Sequence, residues 1–310
     1  TLPEPEPRGY PGNLGLLFAQ HAASERTAIV DLYDPDRPRP TSYRALDAMC
    51  NAVARGRARS GLKPGDRIGI VSQNRVEFVA TLLGAMRAGV VPVPVNVRLP
   101  ADGVAFILQD AAAKIVFTEP ALRHLCPAAI RVVEYGGARG HAYDEFVDPG
   151  AFTAFEPAPD SVAVQPYTSG STGRPKGVLL SHYGQNWSRR VLAWSRRTTE
   201  HDVILVAAPL YHKNALNAIK QGLTVGAMLP LMPQFNAERY IDAIGKYHCT
   251  VISGVPTMTS MILSKKERLG ATDVSSVRTV MMGSAPAAPV RPVLPPSSNP
   301  THTPTATSGV

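Results

Sequence analysis

Twelve consecutive residues have the types and spacing to handle a polyphosphate: Tyr167-Thr168-Ser169-Gly170-Ser171-Thr172-Gly173-Arg174-Pro175-Lys176-Gly177-Val178. Three glycines permit positive φ and close backbone approach, so successive N–H groups can converge on an anion. Thr168, Ser169, Ser171 and Thr172 add hydroxyl donors, and Arg174 and Lys176 add a forked and a compact cation. The segment is not a kinase-type P-loop, because Pro175 stands five residues after Gly170 and no Gly-Lys-Ser/Thr follows. A solvated Gly/Ser loop is the plainer reading, and the particular order of hydroxyls, glycines and cations argues against it.

Other chemically suggestive residues have structural explanations. Cys50, Cys126 and Cys249 are odd in number and far apart, which excludes a disulfide framework and a CxxC zinc or redox site. Cys50 shares a helical stripe with Leu46, Met49 and Val53, so packing accounts for it. His248 and Cys249 flank a predicted strand, with no third ligand at metal-binding spacing. Ser181 before His182 reads as a helix cap, and no catalytic part is assigned to His182. Arg189, Arg190, Arg196 and Arg197 surround Trp187 and Trp194. Such a face can bind nucleic acid, but a solvated arginine face is the commoner case and is the expectation here. Lys265-Lys266-Glu267-Arg268 reads as a solvated helix end, and Met281 and Met282 as core beside a strand.

The elements that must hold the twelve-residue segment alternate between strand and helix. Ser42 caps a first helix that stops at Gly61, and residues 68–72 form a buried strand. A second helix carries Val76, Val79, Ala80 and Leu83 on one side and ends at Gly89. Residues 90–95 and 114–118 are strands separated by a helix over 101–112. Residues 136–159 are loop-like and form a junction. Beyond Ser161, strands are predicted at 202–207, 250–253 and 278–282, with a helix at 237–247. This alternation implies an α/β fold whose mostly parallel sheets are covered on both faces.

At 310 residues the chain has room for about two domains. It carries 32 basic and 24 acidic residues, a net +8, which favours anionic partners such as nucleotides, nucleic acid or acidic lipid. No apolar run reaches the roughly 18 residues of a membrane helix. The proline-rich, acidic start lacks the basic and apolar regions of a secretory signal, so the cytoplasm is the expected compartment. From Pro286 onward, seven prolines occur without one acid or aromatic, the composition of a disordered tail.

The Tyr-Thr-Ser-Gly-Ser-Thr-Gly-x-Pro-Lys-Gly-Val string resembles the phosphate-binding signature of the adenylate-forming superfamily, which includes acyl-CoA synthetases, luciferase and peptide-synthetase adenylation domains. Lys63-Pro64-Gly65-Asp66-Arg67-Ile68, Val91-Pro92-Val93-Pro94-Val95-Asn96 and Ala113-Lys114-Ile115-Val116-Phe117 are similar to that family's N-terminal region. Pro209-Leu210-Tyr211-His212 resembles its acyl-pocket motif, and Gly254-Val255-Pro256-Thr257-Met258 and Gly283-Ser284-Ala285-Pro286 resemble later pocket segments. The likeness runs from about Pro11 to Pro286. It implies two stacked αβ subdomains, at 11–160 and 161–286, after a leader at 1–10 and before a tail at 287–310.

The resemblance further implies activation of a carboxylic acid, fatty or aryl, by ATP to an acyl-adenylate, then transfer to coenzyme A with magnesium assisting. Thr168, Ser169, Gly170, Ser171, Thr172, Gly173 and Lys176 would hold the triphosphate. Gly283, Ser284, Ala285 and Pro286 would lie beside adenine. Tyr211, His212, Gly254 and Val255 would wall the acyl group, with His212 and Lys176 the catalytic candidates; no protein metal ligand is assigned. Two departures matter. Ala215 stands where the family has glycine, and neither a Tyr-Gly-x-Thr-Glu segment nor a C-terminal domain follows. The expectation is therefore a truncated chain of weak or no activity that self-associates through exposed surface. A non-catalytic nucleotide- or acyl-binding remnant and an amino-acid-activating domain are the alternatives, and the absence of Asp near Tyr211 argues against the second.

Overall fold

The computed structural model describes residues 12–136, 142–168 and 174–283. In chain order come β1 (Thr27–Asp31), β2 (Arg39–Ser42), α1 (Tyr43–Arg59), β3 (Arg67–Val71), α2 (Val76–Arg87), β4 (Val91–Pro94), α3 (Ala101–Asp110), β5 (Ala113–Thr118), β6 (Arg131–Glu134) and α4 (Tyr143–Phe146). There follow β7 (Val162–Val164), β8 (Tyr167–Thr168), β9 (Lys176–Gly177), β10 (Leu180–Ser181), α5 (His182–Ser195), β11 (Ile204–Leu205), α6 (Lys213–Val225) and β12 (Leu229–Leu231). The last elements are α7 (Ala237–Tyr247), β13 (Val251–Gly254), α8 (Pro256–Ser264), α9 (Lys266–Ala271) and β14 (Thr279–Met282).

The architecture is α/β with mostly parallel sheets, as the alternation predicts. One parallel sheet runs β4-β3-β5-β6, and a second runs β11-β13-β14. β1 pairs in parallel with β12 and antiparallel with β2, and bridges Val203–Met228 and Val206–Leu231 join β12 to β11. A strand from the first thirty-odd residues thus extends the sheet built by the chain's second half. Pairing over 200 positions leaves no local signal, so the sequence gives no hint of it.

The predicted helices and strands recur with small shifts in their bounds. Ser42 accepts from Ala45 N at 3.1 Å and caps α1. Gly89 takes φ +72° just past the end of α2, and a Cβ there would meet Phe155 Cγ at 2.8 Å. α1 and α2 pack through Gly84, where a Cβ would come within 2.5 Å of the Cys50 carbonyl oxygen. Within the predicted loop 136–159, α4 adds one helical turn. Its Tyr143 and Phe146 join Phe117 and Tyr135 in an aromatic cluster.

Two expectations require correction. Arg189 is only 1% exposed: its Nε donates to Asn186 Oδ1 and its Nη1 to Thr224 Oγ1, both at 2.8 Å. It belongs to the α5–α6 interface rather than to a solvated face, because polar groups on both helices accept from its Nε and Nη1. Met282 is exposed and Met281 only partly buried, since β14 is an edge strand and no described element covers its outer side. All three cysteines are buried free thiols, and desolvation raises Cys50 to about 11.

Candidate functional site

The twelve-residue segment folds as a hairpin whose base is well defined. β8 and β9 pair antiparallel with Tyr167 opposite Gly177 and Thr168 opposite Lys176. Ser169, Gly170, Ser171, Thr172 and Gly173 lie outside the described residues. Thr168, Arg174 and Lys176 are exposed. The hairpin rests on the first sheet: Gln165 N donates to Pro92 O at 3.0 Å, and Val178 N to Pro166 O at 2.8 Å. Tyr167 Oη donates to Asp110 Oδ2 at 2.5 Å, and the Arg174 guanidinium lies 5.7 Å from the Phe106 ring centroid, so α3 supports the other side. Gly177 sits close under the Gln165 amide: a Cβ there would stand 2.7 Å from Gln165 Nε2, so that side chain would have to shift.

The second group of site residues gathers at the C-terminal ends of parallel strands, where open α/β sheets bind ligands. Gly254 ends β13, Val255 caps α8, and Gly283 directly follows β14, its N–H donating to Gly254 O at 3.4 Å. A Cβ on Gly283 would find Asn214 Nδ2 at 3.9 Å, which sets the first turn of α6 beside these two strand ends. Tyr211 and His212 immediately precede that turn, with ring centroids 4.6 Å apart. Tyr211 is buried and His212 exposed. Ser284, Ala285 and Pro286 lie outside the described residues. Ala215 is buried, so the methyl that distinguishes it from glycine is packed into the core rather than projected into solvent.

Two residues of this region escape sequence reasoning. Asn74 is buried, and its side chain fixes the turn that carries Tyr211. Nδ2 donates to Ala208 O and Met232 O, both at 2.9 Å, while Oδ1 accepts from Leu210 N at 2.7 Å. An amide so fully used costs little to bury and is hard to replace. The only sequence signal is a short polar run, Ser72 to Arg75, between a buried strand and a buried helix. Arg98 is the second. It follows β4 in a turn closed by Arg98 N donating to Asn96 Oδ1 at 2.9 Å. Desolvation and then the Arg98 charge depress the pKa of His212. Burial raises the Tyr211 hydroxyl, against the opposing pull of the same charge. A neutral imidazole beside a fixed positive charge can receive an anionic head group.

No helix among the described residues is long and apolar enough to cross a membrane. The sequence model of the family described as AMP-binding enzyme matches residues 18–292. The chain is 31% identical to a feruloyl-CoA synthase of Amycolatopsis over 248 residues, covering 79% of this chain and 49% of that protein. It superposes on ATP-bound MatB from Rhodopseudomonas palustris with a TM-score of 0.78 at 29% identity, covering 89% of this chain and 56% of that one. On a long-chain-fatty-acid-CoA ligase from Archaeoglobus fulgidus the TM-score is 0.82 at 26% identity, covering 91% and 59%. The chain spans about half the length of the curated relatives it matches.

Proposed function

The chain belongs to the AMP-binding enzyme family, and from that premise we propose that it is the nucleotide- and acyl-binding part of an acid–thiol ligase that forms an acyl-adenylate. In the first step a carboxylate oxygen attacks the α-phosphorus of ATP, the bond to the bridging oxygen breaks, and pyrophosphate leaves. In the second, the sulfur of coenzyme A attacks the acyl carbon and AMP leaves. The observation that carries this reading is the pairing of Thr168 with Lys176, which brings the two ends of a glycine- and hydroxyl-rich sequence together beside an exposed ammonium. Lys176 and Arg174 would offset the charge of the phosphates during the approach of the anionic acid.

His212, Tyr211, Gly254 and Val255 would wall the acyl group, Gly283 would lie beside adenine, and Asn74 would position the turn that holds the first two. The neutral His212 ring can donate or accept one hydrogen bond at the acid's head group, and Arg98 adds attraction without touching it. Magnesium supplies charge neutralisation when bound on the phosphates. Among the described residues, no three His, Cys, Asp or Glu side chains converge to hold it, so no step is assigned to the ion. The acid is proposed to be fatty or aryl, since the pocket candidates carry no carboxylate that would pair with a substrate ammonium.

Calorimetric titration of the 310-residue chain with ATP tests the reading. Binding is expected, and Lys176→Ala should weaken it by about a hundredfold, the scale of losing one preorganised charged contact. Unchanged affinity in the variant, with melting also unchanged, would refute it. Pyrophosphate exchange by this chain alone is expected to be feeble. Its level separates a nucleotide-binding remnant from a competent enzyme without affecting the binding result.

A further inference from the structure

Helix α5 is inside out. A surface helix ordinarily buries its apolar stripe and exposes its polar one. In α5 the residues facing inward are mainly polar: His182, Asn186 and Arg189, with Ala193, are buried. His182 Nδ1 accepts from Leu14 N at 2.9 Å, and Asn186 Nδ2 donates to Gly12 O at 3.0 Å. Arg189 bonds Thr224 on α6. These bonds fix the helix's rotation, so its other face cannot turn inward.

That other face is aromatic. Tyr183, Trp187 and Trp194 are 65%, 56% and 40% exposed, and Arg190 stands between the two tryptophans in the same row. Positions 183, 187, 190 and 194 fall within roughly 60° of arc along about 16 Å of helix. Leu179, 58% exposed, and Val178 continue the apolar surface just before the helix. The surrounding sequence has a single sign of charge. Residues 161–199 contain no Asp or Glu, yet besides the buried Arg189 hold Arg174, Lys176, Arg190, Arg196 and Arg197.

We propose that this outward stripe of α5 docks the protein on anionic lipid surfaces. Trp and Tyr combine an apolar body with a polar tip and settle at the level of lipid head groups. A helix presenting them beside arginines lies flat in that interface. The missing carboxylates matter as much, because a single-sign surface is attracted to anionic head groups without local repulsion. Exposed Leu179 and Val178 favour lipid over nucleic acid, since aliphatic side chains gain from acyl chains and offer nothing for base stacking. The inference does not depend on the proposed catalytic reaction.

The chain's two tryptophans are Trp187 and Trp194, so intrinsic fluorescence reads the stripe directly. Vesicles of phosphatidylcholine mixed with phosphatidylglycerol should shift the emission to the blue, and brominated acyl chains should quench it. Phosphatidylcholine alone should do neither. In co-sedimentation, Trp187→Ser should lower partition about tenfold and Arg197→Gln about fivefold, with melting unchanged in both. Equal partition onto neutral and anionic vesicles would overturn the proposal, as would undiminished binding by a folded Trp187→Ser, Trp194→Ser double variant. Two other results would also overturn it by naming a different occupant. One is a shift with single-stranded DNA but not with vesicles. The other is a lipid-independent shift that grows with protein concentration, marking a second copy.

Discussion

Helices α1 and α2 form one pair and α5 and α6 another, and the two pairs are held together by different physics. Between α1 and α2 most of the interface is apolar: Leu46, Cys50, Val53, Val79 and Leu83 are buried, Gly84 lets the backbones approach until no Cβ would fit, and polar contact is confined to the end of α2, where Arg87 bonds Asp47 and Asn51. Between α5 and α6 the buried groups are polar. Arg189 bonds Thr224, Lys220 Nζ donates to Gln185 Oε1, and Arg196 Nη1 donates to Gln221 Oε1 at 2.8 Å. Shape complementarity is indifferent to pH, whereas buried donors and charges are not. The mainly apolar pair supports the sheet on which the phosphate hairpin rests. The polar pair directly follows that hairpin and carries the first turn of the acyl-site candidates.

The largest effect should come from breaking the apolar contact at Gly84. Gly84→Val would drive branched carbons into the Cys50 carbonyl and Val53 Cβ, which lie 2.5 and 2.7 Å from an ideal Cβ. A loss of about 4 kcal/mol is expected, the scale reserved for severe overpacking. Chemical denaturation would measure it. The loss should be the same at pH 5 and pH 8, and a strongly pH-dependent loss would erase the contrast between the pairs.

Acid should act on the polar pair through His182. Burial depresses its pKa to about 4, and its Nδ1 accepts from the Leu14 amide. The unfolded chain binds this proton near pH 6.5 and the folded chain does not until about pH 4, so stability must fall as pH drops through that window. Up to roughly 3 kcal/mol is at stake. Denaturation midpoints for the wild type and His182→Gln should converge as pH is lowered from 7 to 4. Parallel curves would show that the ring is not the titrating group.

Lys220 is the third lever. Burial, with Lys213 and Arg189 as positive neighbours, pushes its ammonium down to about 8. Its folded pKa lies below its unfolded value, so the charged form is penalised at neutral pH, and the penalty fades as pH rises from about 8 to about 10.4. Lys220→Met should therefore stabilise the fold at pH 7 by about 2 kcal/mol. The gain should shrink toward pH 10, and a destabilised variant at pH 7 would mean that the bond to Gln185 outweighs desolvation.

These contrasts explain what the sequence discloses. The helix Ala237–Tyr247 is readable because the Asn236 side chain caps it by accepting from Arg239 N and its apolar residues recur at helical spacing. Three strands of the four-stranded sheet, β3, β4 and β5, are readable because each is a short β-branched run, whereas β6 is not read from the sequence. Periodicity reports which residues share a face, not which face turns inward. In α5 the spacing sets Arg189 on another side from Trp187 and Trp194, and partners on α6 and the segment from Gly12 to Leu14 decide that its side is the buried one. The phosphate loop is legible from composition, but the register that seats Lys176 opposite Thr168 is supported by Pro92 and Asp110, far away in sequence. Asn74 and Arg98 belong to the same class. Their roles come from neighbours that only the folded chain brings near.

The smallest stability effect should come from α8 and the last strand, and it tests whether an apolar sequence is by itself a core. α8 contains Met258, Met261, Ile262 and Leu263 but has no buried residue, whereas α2, similarly apolar, is buried along nearly its whole length. β14 likewise leaves Val280 and Met282 exposed. Exposed positions contribute little to folding, so Met261→Ser and Val280→Thr should each change stability by less than about 0.5 kcal/mol. Their effect should appear in association. Contiguous apolar surface beside an edge strand favours self-pairing, so sedimentation of the double variant should show fewer oligomers than the parent chain. A monomeric parent, or a double variant that melts well below it, would mean that this face is already satisfied within the fold.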